Sequence, residues 1–255
     1  LNYSQHLVYL PVGIFGVAMG VVCLPNMSRA WGRQDENEMN SSLNYAMRMI
    51  LFLSLPCAFL LWTLSQETVS LLFYRGAFTL EAVRQCAWTL NFYVLGLPAF
   101  CLAKVATNPF HARKDTRTPV RIALFCMCLN LILNLILMQF LRQGGLALST
   151  SICSWMNVIL LLKLNRKHQL SWQPNQVLKA MLSLTLMAAL AGSLAWLLRN
   201  FLQTLTFFGA KPQTALHDLL VLIIAGGSAA LSYLILNKIA GRPELKELVQ
   251  ALSAK

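Results

Sequence analysis

The chain has 255 residues, of which 57% are hydrophobic and only 12% charged, and its mean hydropathy is +0.58. Soluble domains carry about twice that share of charge, so a soluble globular fold is excluded at the outset. The net charge of +12 raises nucleic acid as a partner, but the cations lie in short loops between apolar runs and form no stripe, which excludes that reading as well.

Apolar runs of ~18 residues or more read as spanning helices, because ~20 residues at 1.5 Å rise cross the hydrocarbon layer. The chain opens at Leu1 with no basic-then-apolar leader and reads as entering a helix at once. A first span is expected over Tyr3–Leu24, punctuated by Pro11, Gly13, Gly16 and Gly20, with the glycine spacing pointing to close helix contact. The polar stretch Arg33–Glu38 follows, and Met39–Met49 is expected to be helical before the second span, Tyr45–Leu64. Arg75-Gly76-Ala77-Phe78 reads as a short loop ahead of the third span, Ala82–Ala103. Thr118 is expected to cap the fourth span, Pro119–Phe140, with Pro119 at its first helical position. Gly144-Gly145 reads as a tight reversal that makes the fourth span and the fifth, Gly145–Leu164, a hairpin. The sixth and seventh spans are expected at Val177–Leu198 and Leu216–Leu236, and the tail from Gly241, with Glu244, Lys246 and Glu247, as a short amphipathic surface helix.

The loops between these spans alternate in charge. One side takes Arg29, Arg33, Arg48, Lys104, Arg113, Lys114, Arg117, Arg121, Lys163, Arg166, Lys167, Lys179, Lys238, Arg242, Lys246 and Lys255; the other takes Arg75, Arg84, Arg142, Arg199 and Lys211. Sixteen against five assigns the richer side, and with it the C-terminus, to the cytoplasm.

No catalytic constellation is visible. All nine acidic residues fall in loops or at helix ends, and no G-x-S-x-G, H-E-x-x-H or Walker A pattern is present. The seven cysteines lie in or beside apolar runs without a C-x-x-C pair and read as inert thiols. Asn130 and Asn134 lie four apart on one face of the fourth span, where Thr150 of the hairpin partner can meet them. Two amides and a hydroxyl satisfy one another across helices at ~0.6 kcal/mol per bond, or offer oxygens to a sodium ion. With no nucleotide site, a transporter of this kind runs on an ion gradient, on membrane potential or on its substrate's own gradient.

Several stretches resemble the MurJ/MviN family of lipid II flippases. Residues 3–18 (YSQHLVYLPVGIFGVA) are similar to its Y-A-D-R-L-x-x-x-P-x-G-x-x-G-x-A helix, and 73–79 (FYRGAFT) to its F-x-R-G-x-F-T loop. The most specific match is 110–120 (FHARKDTRTPV), close to F-Y-A-R-x-D-T-x-T-P-V. The resemblance covers nearly the whole chain in order. It implies an all-α transporter of the MOP superfamily, with two six-helix lobes and two further helices whose apolar groove takes a lipid tail. This chain would supply helices eight to fourteen: residues 1–165 as five spans of the second lobe, 166–240 as the two additional C-terminal transmembrane helices, and 241–255 as a cytoplasmic tail. The first lobe, absent from the sequence, becomes a partner, alongside membrane lipids and the undecaprenyl-pyrophosphate-linked precursor of peptidoglycan. The place implied is the bacterial inner membrane and the activity is transport for cell-wall biogenesis, with no cofactor and with sodium or membrane potential as the coupling. Other polyprenyl-linked glycan or multidrug transporters of the superfamily, or a non-transporting half-protein, are the alternatives.

The resemblance also marks residues. His6 and Tyr9 fall in the substrate cavity, where the family has an arginine and often an acid. An arginine fork suits a pyrophosphate, whereas histidine is shorter and only conditionally charged. Arg29, Arg113 and Arg117 fall at the cytoplasmic gate or on lipid headgroups. Relatives hold sodium at the positions of Asn130, Asn134 and Thr150 with a carboxylate in place of Asn134. That charge is missing here, which favours hydrogen bonding.

Reporter fusions after Lys167 and after Lys255 are expected to report the cytoplasm, and fusions near Arg75 and Lys211 the opposite side. Reversal at any two of these sites would overturn the seven-span reading.

Overall fold

The computed structural model describes residues 2–76, 78–167, 174–206 and 215–247; Ala77, Lys211 and the tail from 248 to Lys255 lie outside the described residues. Seven helices among them are long and apolar enough to cross a membrane: Asn2–Gly32, Glu36–Thr63, Leu80–Ala112, Arg117–Leu141, Gln143–Asn165, Asn175–Leu202 and His217–Ile239. The expected spans coincide with these helices, overrunning them by one residue at Leu64 and at Leu216, and most of the helices run further. Hydropathy stops at the first polar residues, whereas the backbone ladder continues past them. Thus the first span passes through Pro25 to Gly32, and the second starts at Glu36, where Asp35 caps it by accepting the Glu38 N–H at 2.9 Å. A short helix, Ser65–Phe73, follows the second span.

Three local expectations are corrected. Thr118 does not cap the fourth span. Asp115 does, its Oδ1 accepting the N–H groups of Arg117 and Thr118 at 3.1 Å each. The reversal of the hairpin falls on Arg142, at φ +50°, and the two glycines belong to the next helix. A Cβ on Gly145 would lie 2.3 Å from the Leu137 carbonyl oxygen, so glycine there serves close crossing rather than turning. The tail is not a purely surface helix either, because Glu244 is buried.

The first span is not uniform. After Pro11, which offers no N–H to the preceding turn, the backbone widens into a π-helical stretch over Val12–Val17. The seventh span carries a second such stretch at Leu222–Gly226. The third span is broken twice, at Leu95-Gly96 and at Thr107.

The second span is the hub. Met39, Leu43, Met47, Ile50, Leu51 and Phe52 are buried against the first, third and sixth spans. The fifth span packs on the third and pairs with the fourth. The seventh packs on the sixth, and its Tyr233 hydroxyl donates to the Phe52 carbonyl at 2.9 Å. The fourth span is peripheral: Ile122 and Cys126 are its buried residues.

Gly145→Ala is expected to lower stability by about 1–3 kcal/mol through overpacking against backbone. Gly13→Ala, where an added Cβ meets nothing within 4 Å, should be neutral or stabilising by about 0.5–1 kcal/mol. Thermal unfolding of the two variants in detergent micelles distinguishes them; equal shifts would contradict this account of the crossing.

Candidate functional site

The first and third spans together carry an open face. On the first, His6 and Tyr9 are exposed, and the Tyr9 ring lies 6.0 Å from that of Phe100 at a tilt of 49°. On the third, Phe100 and Lys104 stand four apart, on one face of the Leu97–Ala106 helix, and Thr107 and the exposed His111 follow across the break. The spans meet at Gly16 and Gly20: a Cβ on Gly16 would lie 3.1 Å from Cys101 Cα, and one on Gly20 3.6 Å from the Lys104 carbonyl oxygen. Lys104 is therefore no loop residue, as the charge pattern had it. It stands within the Leu97–Ala106 helix, opposite the first span.

At the Arg29 end, the three cations read as gate or headgroup contacts are placed differently. Arg29 is exposed and donates through Nη2 to Asn26 Oδ1 at 2.6 Å. Arg113 is half-buried, with its guanidinium 5.1 Å above the Trp31 ring, a cation–π contact that joins the connector to the end of the first span. Burial pulls the Arg113 pKa down, and the carboxylates of Glu36 and Asp115 push it back up. Arg117 is exposed at the start of the fourth span.

The hairpin brings its expected polar residues together. Asn134 Nδ2 donates to Asn130 Oδ1 at 2.8 Å, and Asn130 Nδ2 reaches Thr150 Oγ1 at 3.5 Å. Ser149, which the sequence reading missed, donates to Asn134 Oδ1. Its place in the Ser149-Thr150-Ser151 run was the available signal. Thr150 itself donates to the Leu146 carbonyl at 2.8 Å. The amide oxygens are thus turned to protein donors. Among the described residues no group of three or more His, Cys, Asp or Glu side chains is placed to hold a metal.

Two ionic clamps were also missed. Arg199, near the end of the sixth span, pairs with Glu67 of the short helix at 2.5 Å and donates to the Thr63 carbonyl at 3.1 Å and Gln66 Oε1 at 3.2 Å. At the opposite end Arg48 meets Glu244 and Glu247, each at 3.6 Å. Glu67 is the only acid between Glu38 and Glu81, a hint that a partner was needed. Cavities lie beside both clamps, one of about 480 Å³ lined by Gln66, Arg84, Gln85, Trp88 and Asn91, the other, a polar one, of about 360 Å³ lined by Asn37, Asn40, Asn44, Arg48 and Gln176. Neither includes His6 or Tyr9.

The family model described as "Lipid II flippase MurJ" matches residues 1–215. A "Probable lipid II flippase MurJ" of Rhizobium tropici is 32% identical over 198 residues, covering 77% of this chain and 37% of its own length. That of Rickettsia prowazekii is 36% identical over 168 residues, covering 66% of this chain and 33% of its own length. The chain thus spans about a third of the length of these relatives. A solved structure of a lipid II flippase MurJ in an inward closed conformation superposes with a TM-score of 0.73 at 24% identity, over 94% of this chain and 47% of that one. The fold is shared.

The Glu67–Arg199 pair yields a stability test. Glu67→Ala leaves a guanidinium with a side-chain exposure of only 17% and should cost roughly 3 kcal/mol, whereas pairing Glu67→Leu with Arg199→Met should recover most of that loss. Unfolding midpoints of the single and double variants measure it. A double variant as unstable as the single one would mean that the charges themselves are required.

Proposed function

The chain belongs to the MurJ family of lipid II flippases, and we propose that it supplies the second lobe and the accessory helices of a transporter that moves the undecaprenyl-pyrophosphate-linked peptidoglycan precursor across the bacterial cytoplasmic membrane. The observation that carries this reading is the family match over residues 1–215. In this reading residues 1–165 are the lobe, 166–240 the two added helices and 241–255 a cytoplasmic tail.

The physical task is to take a charged, sugar-bearing headgroup through hydrocarbon while its lipid tail stays in the bilayer. No bond is made or broken, so the protein needs a wet, polar path and two alternating openings. The open face of the first and third spans, with His6 and Tyr9 exposed on it, is the surface that meets the family's first lobe. A protonated imidazole there offers charge and donors to the diphosphate. Exposed leucines along the sixth span, at Leu178, Leu182, Leu186 and Leu190, repeat every four residues and suit the apolar tail. Exposed Lys114, Arg117 and Arg121 attract anionic lipid heads, at about 1 kcal/mol each.

Asn130, Asn134, Ser149 and Thr150 act in this reading as a neutral lock between the hairpin helices rather than as a sodium site, because the amide oxygens accept from Asn134 and Ser149. Membrane potential or the substrate gradient then supplies the direction.

Joined to the first lobe of a relative, the chain should restore lipid II exposure on the outer face of cells depleted of their own flippase; alone it should not. In the joined protein His6→Arg should retain or raise exposure, His6→Ala should lower it and His6→Asp should abolish it at matched expression. A well-expressed joined protein without lipid II exposure would overturn the reading, and growth supported by residues 1–255 alone would overturn the need for the other lobe.

A further inference from the structure

We propose that the polar cavity beside the Arg48 clamp is a headgroup site for a phospholipid that carries a primary ammonium next to its phosphate, as phosphatidylethanolamine does. The site is built by the second span, the sixth span and the tail, apart from the open face. It does not rest on the flippase reading.

A polar stripe opens the second span. Asn37, Asn40, Ser41, Asn44, Tyr45 and Arg48 follow at spacings of three, one, three, one and three, which is one face of a helix. Together they line the cavity of about 360 Å³. A second face of the same turns, with Met39, Leu43 and Met47, is buried in the core. The apolar run of this span begins only at Tyr45, so the amides fall in the headgroup layer and the tyrosine at its boundary with hydrocarbon. Gln176 closes the cavity from the sixth span, and Lys179 stands exposed three residues further on the same helix face.

Charge decides which headgroup fits. Glu244 and Glu247, three apart on the tail, both reach Arg48, each at 3.6 Å. Two carboxylates on one guanidinium leave a surplus negative charge, and Lys246 between them in sequence is exposed and pairs with neither. The contacts are also longer than the ~2.7–2.9 Å of a charge-assisted hydrogen bond. Arg48 Nε, Glu244 Oε2 and Glu247 Oε2 are buried without a hydrogen-bond partner among the described residues. Arg199, by contrast, bonds an acid, a carbonyl and an amide. Buried charges short of hydrogen bonds are costly, and what the two carboxylates lack is a donor.

A primary ammonium supplies three N–H donors and the missing positive charge. Glu247, whose side chain is 31% exposed, is the accessible acid for it. The phosphate follows one ethanolamine link away, and the amides of Asn37 and Gln176 and the ammonium of Lys179 are donors of the right kind for its oxygens. Phosphatidylcholine presents the same phosphate, but its quaternary nitrogen has no N–H to give. Phosphatidylglycerol has the phosphate and no cation, so the surplus carboxylate repels it.

The test adds phosphatidylethanolamine, phosphatidylcholine or phosphatidylglycerol, with matched acyl chains, to the delipidated 255-residue chain in detergent and counts bound lipid by native mass spectrometry. The ethanolamine lipid should bind about tenfold more tightly than either of the others. Glu247→Gln, which leaves the Arg48–Glu244 contact in place, should abolish that preference, and Glu247→Asp should keep it. Equal binding of the three lipids by the wild-type chain, a preference for phosphatidylglycerol, or an unchanged preference in Glu247→Gln would overturn the proposal. Should Glu247→Gln misfold, as judged by circular dichroism, Gln176→Leu in the opposite wall decides. It should weaken the ethanolamine lipid about threefold, and unchanged binding there would overturn the site.

Discussion

Where the third span breaks, carbonyls lose their helical partners in a place that has no water to replace them. At the first break the Gly96 N–H turns to Tyr93, at 2.9 Å, and the Phe92 carbonyl is freed. Ser151 donates to it at 2.7 Å, and Trp155 donates to Leu95 one turn along at 3.0 Å. At the second break the Phe110 N–H turns to Thr107, and Asn165 takes the Ala106 carbonyl at 3.1 Å. All three donors come from the fifth span. Unsatisfied backbone groups cost several kcal/mol each in hydrocarbon, so the broken helix exists only because the fifth span stands beside it in this register. From that pairing follow the close approach of the third span to Gly16, the exposure of Lys104 and the open face itself.

Much of the architecture was legible in the sequence because a bilayer leaves the chain few choices. Length and apolarity identify the spans, and the seven runs fall on the seven helices to within one residue. Joints were less legible. Thr118-Pro119 carries an ordinary helix-start signature, yet Asp115 sits where its carboxylate reaches two free N–H groups at once, and a carboxylate is the stronger acceptor. Gly144-Gly145 looks like a turn until the crossing partner is known; only the position of Leu137 shows that a side chain would collide.

Of the candidate site, the Asn130–Asn134–Thr150 contact was legible because helical spacing alone puts two of the three residues on one face. Ser149 was not, since its role depends on the rotation of the partner helix. Lys104 was misassigned for an instructive reason. A lysine eight residues before Ala112 reads as a span end if the span is assumed to stop when hydropathy falls, but the third span continues through Thr107 to Ala112. The ionic clamps were illegible because Glu67 and Arg199 are far apart in sequence and neither has a local partner of opposite sign.

The hairpin crossing has a consequence for motion. With Gly145 seated on the Leu137 carbonyl and Asn134 bonded to both Asn130 and Ser149, neither helix can slide by a turn without leaving amides bare in lipid. The fourth and fifth spans therefore translate as a single rod, and the rod is fastened to the third span at both of its breaks. Any rearrangement that opens one side of the membrane and closes the other has to be absorbed elsewhere. The widened turn at Val12–Val17, where the backbone ladder of the first span is already out of α-helical step, is one compliant joint the fold leaves for it, beside the similar stretch at Leu222–Gly226.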